Sequence, residues 1–393
     1  MERLTRYWLL LFLLCNICAQ YRILEGFTYF LFYPLLAFAV MAILTNIQSL
    51  FTTQMLSRYR FLYIYIIICW LYQLAFGLMM THEETWMYLA GKTAMLFMTV
   101  LAVEQAPDYY YDRFPRHYLV FCVVLLVLGL TVMDRVGVDG RHYFGFGNPN
   151  SGGHLAAICA SGLFITNPFE NKWLSRGMMA VCLLTVLMSG SRASLGVALV
   201  GLFMKYGFNV RAVIPAAIVY FVFFVMPSMG YRFTGVERFI TSVETGDYSS
   251  GRDQERQATL LMIREAPFVG NGICTPMSSS AKEISKMGSH NTYLDWLKWF
   301  GIPFGAWMIF ELLACTYRQY LYYRKSDDDN ERYHLFVVVS TVVTCYFEGY
   351  IWGLNEMSNT IFFASLAILM ARRDYEEEDE DDDVLDAEAE ELA

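Results

Sequence analysis

Apolar residues run along this chain in long blocks separated by short polar breaks. A membrane-spanning helix needs about 20 such residues, and shorter ones fit inside a bundle. Twelve segments follow from the pattern: 7–20, 27–47, 61–80, 87–103, 118–133, 151–166, 177–190, 193–205, 212–226, 292–317, 334–350 and 357–370. Ser189-Gly190-Ser191-Arg192 alone parts the seventh from the eighth, which predicts two helices meeting at shallow depth rather than two full crossings. The expected fold class is all-α: a polytopic membrane helical bundle of about 12 transmembrane helices. A large, partly helical exterior loop, about 227–291, stands between helices 9 and 10. The first segment follows Met-Glu-Arg-Leu-Thr-Arg with no convincing small-x-small cleavage site, so it reads as an uncleaved first helix.

Composition agrees with this pattern. The 393 residues are 56% hydrophobic and 17% charged, against about half and a quarter in soluble domains. Disorder, collagen and a disulfide scaffold are excluded. The net charge of −9 belongs to one end: residues 374–393 carry 13 acidic groups and no Lys or Arg. Without them, 25 acidic residues face 29 basic ones. The chain therefore divides into a membrane domain, 1–373, and an acidic, disordered, solvated tail, 374–393. Of nine cysteines, all but Cys274 lie in apolar runs, where cysteine acts as a small hydrophobe.

Lys and Arg in short loops orient the chain. The N-terminus and even-numbered loops hold 16 of them, whereas the opposite side holds Arg22, Arg135, Arg141 and Arg192. Both termini are thus expected in the cytoplasm, and the long loop outside. That loop adds Arg232, Arg238, Arg252, Arg256, Arg264, Lys282 and Lys286. A face so basic attracts an anion.

Four constellations carry candidate chemistry. In Gly147-Asn148-Pro149-Asn150-Ser151, Ser151 is placed to cap the next helix and turn its free N–H groups toward an anion, with Arg141 and His142 just before it. Arg192 sits between two apolar stretches, where an Arg costs about 2.5–3.5 kcal/mol and needs a partner; Glu348 is the natural carboxylate, and an anionic ligand the alternative. The stretch from Ser249 to Arg264 reads as an amphipathic helix stopped near Ala266-Pro267, with Arg252 and Arg256 on one face. In Ser289-His290-Asn291-Thr292-Tyr293-Leu294-Asp295, His290 titrates where proton transfer is useful. Gly91-Lys92-Thr93 imitates the end of a phosphate-binding loop, but Trp86 stands where its leading Gly is required; Lys92 is expected to snorkel or to face a cavity. No Cys or His spacing suits a metal.

In this order the motifs resemble the O-antigen ligase and polymerase superfamily of bacterial envelope glycan enzymes. The resemblance rests on Gly147-Asn148-Pro149-Asn150, Ser191-Arg192-Ala193-Ser194-Leu195, Ser250-Gly251-Arg252, Pro267-Phe268-Val269-Gly270-Asn271-Gly272, Ser289-His290-Asn291-Thr292-Tyr293-Leu294 and Gly301-Ile302-Pro303, over about residues 140–305. It implies an inverting, metal-independent membrane glycosyltransferase of the bacterial cytoplasmic (inner) membrane, acting in cell-envelope biogenesis on the exterior face, with no cofactor and no nucleic acid. The donor would be a glycan on undecaprenyl pyrophosphate, and the acceptor a glycan or a lipid such as lipopolysaccharide core. By that analogy Arg192 and Arg252 bind the pyrophosphate, joined here by Arg256 where the family commonly has an aromatic, and His290 is the base. Arg141, Asn150, Asn291, Tyr293 and Glu348 are secondary candidates. Tyr143, Phe144, Phe146, Tyr293, Trp296 and Trp299 are candidates for stacking on sugar rings. The competing class is a transporter or flippase for an anionic or lipid-linked glycan substrate.

Overall fold

Helices stand wherever a predicted segment falls among the described residues. The computed structural model describes residues 2–77, 83–137, 140–206, 252–286, 289–354 and 356–373, with isolated positions between 225 and 244. Nearly all of the ninth predicted segment, the first part of the polar loop and the acidic segment 374–393 lie outside them.

The main helices are Glu2–Ala19, Glu25–Thr45, Arg60–Phe76, Glu83–Gln105, Phe114–Leu128, Pro149–Thr166, Lys172–Ser189, Arg192–Tyr206, Thr292–Tyr323 and Asp329–Thr344, with a last one at 357–373. Among the described residues there is no strand, only two isolated bridges. Among the described residues, five helical stretches are long and apolar enough to cross a membrane: Glu25–Thr45, Glu84–Gln105, Tyr109–Val132, Lys172–Ser189 and Thr292–Tyr323. Leu4–Ala19 and Arg60–Phe76 are apolar but shorter. The described residues are those of an all-helical membrane protein, and these five stretches fall on five of the twelve crossings expected from the sequence. All nine cysteines are free.

Helix Pro149–Thr166 is buried along almost its whole length. Helices Lys172–Ser189, Arg192–Tyr206, Phe114–Leu128 and Asp329–Thr344 pack around it. Its small residues make this possible, since helices in membranes associate where backbones approach closely. A Cβ on Gly153 would sit 2.4 Å from Ser189 Oγ and 2.9 Å from Ser194 Oγ, so only glycine fits against that turn. The cap of this helix is Asn148, whose side chain accepts from Asn150 N at 2.9 Å. Ser151, the cap expected from the sequence, lies within the first turn instead. Pro149, with its fixed φ, already occupies the first helical position.

Side-chain contacts define two ends of the bundle. One end gathers the start of Pro149–Thr166, the turn between Lys172–Ser189 and Arg192–Tyr206, the start of Thr292–Tyr323 and the loop after Asp329–Thr344; Thr292 N donates to Cys345 O at 2.9 Å. At the opposite end, Lys205 Nζ reaches both Ile165 O and Asp329 Oδ1 at 2.6 Å, and Tyr323 Oη donates to Leu369 O at 2.8 Å.

Helices Asp253–Glu265 and Ser279–Ile284 carry their own small apolar cluster of Ala258, Met262 and Ala281. The segment Pro267–Gly272 docks them on the bundle. Ile302 N donates to Pro267 O at 2.7 Å, Asn271 N to Lys298 O at 2.9 Å and Gly272 N to Trp299 O at 3.0 Å. Both chains break at glycine to allow this: Gly270 has φ +76° and Gly301 φ +73°, and a Cβ on Gly270 would lie 2.3 Å from Gly301 N. Left-handed backbone and close approach are what glycine alone tolerates.

Candidate active site

The first end of the bundle carries a chain of polar contacts centred on Glu348. Its Oε1 accepts from Arg252 Nη2 at 2.9 Å and from Asn150 Nδ2 at 3.1 Å, while its Oε2 faces His290 Nδ1 at 3.4 Å. Arg252 also donates from Nη1 to Phe347 O, next to that carboxylate. Asn150 Oδ1 in turn accepts from Arg141 Nη2, and Arg141 Nε donates to Ser189 O at 2.7 Å. One carboxylate thus joins the start of Pro149–Thr166, the start of Asp253–Glu265 and the start of Thr292–Tyr323.

Local chemistry fixes each of these side chains. Arg252 is the residue immediately before helix Asp253–Glu265, and Arg256 one turn on donates its N–H to Arg252 O at 3.0 Å. The two arginines do share a face, as their spacing predicts, and both turn to the same loop. Arg252 reaches Phe347 and Glu348, while the Arg256 guanidinium lies over the Tyr346 ring at 5.2 Å.

His290 precedes the cap of helix Thr292–Tyr323 and adopts φ +47°, a region that costs a non-glycine residue about 1–3 kcal/mol. Its neighbours hold it there. Ser289 Oγ accepts from Asn291 N and donates to Asn291 O, both at 3.1 Å. Asn291 Oδ1 caps the helix through Leu294 N at 3.0 Å, and its Nδ2 donates to Tyr346 O at 2.9 Å.

The electrostatics follow from these contacts. The hydrogen bond to Glu348 raises the His290 imidazole above its ordinary value, over the opposing effects of burial and of the Arg252 charge. Burial opposes the charge on Glu348, but hydrogen bonds from His290 and Arg252, with the Arg252 charge, hold its carboxyl below the usual carboxylate range. The imidazole side chain remains 31% exposed, which leaves its other nitrogen within reach of a substrate.

Other candidates fall elsewhere. Arg192 opens helix Arg192–Tyr206 at the same end, half-buried and two residues after Gly190, where a Cβ would meet the Arg141 side chain at 3.1 Å. Arg252 meets Glu348 at 2.9 Å. Asp295, the acid nearest His290 in sequence, binds Lys298 Nζ at 2.9 Å instead. Tyr293 donates from Oη to Val342 O at 2.6 Å and braces two helices. Of the aromatics expected to stack on sugars, Phe144, Phe146 and Trp296 are buried. Tyr346 and Phe347, which the sequence reading did not single out, are exposed at the site and stand edge-to-face with centroids 5.1 Å apart. Their signal was their place beside Glu348 in Tyr346-Phe347-Glu348-Gly349-Tyr350.

Fold and site together define a helical membrane protein with a cationic polar site, organised by one carboxylate, at one end of its bundle. Residues 177–310 match the family model described as O-antigen ligase. The resemblance to the O-antigen ligase superfamily is therefore shown over that region, which contains Arg192, Arg252, Arg256 and His290 but neither Asn150 nor Glu348. No curated protein matches the chain. The family match supports an O-antigen ligase- or polymerase-like membrane glycan transferase in general.

Proposed function

We propose that the protein moves a glycan from an undecaprenyl-pyrophosphate carrier to an acceptor hydroxyl at the exterior face of the cytoplasmic membrane, by inverting, metal-independent transfer. The observation that carries this reading is the pairing of His290 and Arg252 on the two oxygens of Glu348. It sets a base and an anion-binding group side by side at the end of the bundle.

The steps follow from that pairing. Nδ1–H of His290 donates to Glu348, which leaves the Nε2 lone pair free to accept a proton. The acceptor O–H loses its proton to Nε2 as its oxygen attacks the anomeric carbon opposite the leaving group. The bond from that carbon to the pyrophosphate oxygen breaks, and the pyrophosphate keeps the electron pair. Charge grows on the leaving group during this step, so arginines already in place stabilise the transition state more than the ground state. At an effective dielectric of 20, one Arg about 4 Å from a unit charge contributes roughly 4 kcal/mol before desolvation. Arg252 is the principal group of this clamp, with Arg192 at the neighbouring helix start. Arg256, held over Tyr346, extends the positive face toward the sugar side.

The test is a transfer assay on the reconstituted protein, in EDTA, with an undecaprenyl-pyrophosphate-linked glycan and acceptor. Product from wild type and none from His290→Ala or Arg252→Ala is the expected result. Equal turnover by wild type and His290→Ala removes His290 as the base. Failure of wild type to form product, together with solute uptake that the arginine variants lose, would instead favour the transporter class.

A further inference from the structure

Lys92 stands in the middle of helix Glu83–Gln105, 3% exposed, in a stretch apolar enough to cross a membrane. A charge at such a depth is expensive and marks a function by default. The Lys92 ammonium does not snorkel. It donates to Ile351 O at 3.1 Å, to Trp352 O at 3.3 Å and to Asn359 Oδ1. An ammonium has three N–H donors, and all three are used on one loop and the helix that follows it. The Phe363 ring lies 4.8 Å from the same charge.

The residues around Lys92 serve the same loop. Tyr88, one turn earlier, donates from Oη to Trp352 O and stacks on the Trp352 ring with centroids 4.9 Å apart. A Cβ on Gly91 would meet Leu354 Cδ1 at 3.1 Å. Gly91-Lys92, which imitates a phosphate-loop ending in sequence, is thus a seat for residues 351–354. The other side of the loop is tied to the start of Thr292–Tyr323: Thr292 Oγ1 donates to Glu348 O at 3.1 Å, and Asn291 Nδ2 to Tyr346 O at 2.9 Å. Glu348 lies between the two attachments.

We infer that Lys92 is a positioning residue for transfer: it holds the loop 345–354 so that Glu348 presents its two oxygens to His290 and Arg252. The inference rests on the reading of that site given above. Lys92 touches none of the reacting atoms, and its action passes through the main-chain carbonyls of Ile351 and Trp352. A misplacement of about 1 Å far from the chemistry can lower a rate on the order of 10²-fold.

The experiment compares full-length wild type, Lys92→Met and Lys92→Arg in nanodiscs, by hydrogen exchange of peptides spanning 345–354 and by steady-state transfer. Met keeps the length of the side chain and removes the three donors. The expected result is faster exchange confined to 345–354 in Lys92→Met, a kcat lowered by roughly 10- to 100-fold with donor KM nearly constant, and partial recovery of both in Lys92→Arg. Exchange at 345–354 equal to wild type overturns the inference, as does faster exchange with unchanged kcat. If Lys92→Met does not fold, Asn359→Leu removes one of the three acceptors and is read in the same way. Should wild type itself form no product, the reading of the site fails, while the exchange measurement still decides whether Lys92 holds the loop.

Discussion

The two ends of the bundle are both built from charged side chains, yet they are wired differently. At the end opposite the site, three cations meet three carboxylates: Arg58 with Glu104 at 2.9 Å, Lys205 with Asp329 at 2.6 Å, and Arg332 with Asp327 at 2.8 Å and with Asp329 at 3.6 Å. The first two tie one helix to another, whereas Arg332 braces the turn at the start of its own helix. At the site, a single carboxylate, Glu348, serves Arg252, His290 and Asn150 at once, and Arg256 rests on an aromatic ring. Sharing one anion among several donors leaves positive potential over, which is what an anionic substrate requires. Matched charges hold a fold together, and a shared charge prepares a site.

Substitutions test this difference, the largest effect first. His290→Ala removes the proposed base, and initial rates at saturating donor should fall by about 10²–10⁴-fold. Arg252→Lys keeps the charge but loses the planar fork that binds Glu348 and the Phe347 carbonyl together; a loss of about 10²–10³-fold in kcat is expected. Arg256→Ala removes a cation–π contact worth about 0.5–1 kcal/mol at an exposed site. It should raise donor KM several-fold with kcat nearly unchanged. Asp329→Asn breaks the pairs with Lys205 and Arg332 at the other end, where Asp329 is 41% exposed. Transfer should stay within about twofold of wild type, and the melting temperature should fall by a few degrees, in keeping with about 0–1 kcal/mol for an exposed pair. A large loss of turnover in Asp329→Asn would erase the distinction between the two ends.

Much of this molecule was legible in its sequence because hydropathy acts residue by residue. The apolar blocks predict helices where the structure has them, and Ala266-Pro267 marks the end of helix Asp253–Glu265. The ordered motifs from Arg192 to Tyr293 suggested the superfamily that residues 177–310 match. What escaped depends on tertiary approach. Glu348 lies 58 residues beyond His290 in the chain, and nothing local says which cations it will meet; Arg252 and His290 reach it only through the fold. The seat of Lys92 is not legible either, beyond a side chain that snorkels or faces a cavity, because its three acceptors are main-chain carbonyls and an amide more than 250 positions away, at 351, 352 and 359. The Pro267–Gly272 motif was noted for its order, whereas its backbone serves to seat one helix on another through Gly301.

The most direct test of the shared carboxylate is the pH dependence of kcat/KM for wild type and Glu348→Gln. His290 accepts a proton only when neutral, so the rate rises as pH climbs through its pKa, which Glu348 holds above the ordinary 6.5. Replacing Glu348 removes that hydrogen bond and its charge; the nearby Glu255 still raises the pKa, and burial and the Arg252 charge still lower it. The acidic limb of the profile should therefore move to lower pH in Glu348→Gln, along with a reduced maximum rate. An acidic limb that stays in place would show that His290 does not act as a base coupled to Glu348, and would contradict the account.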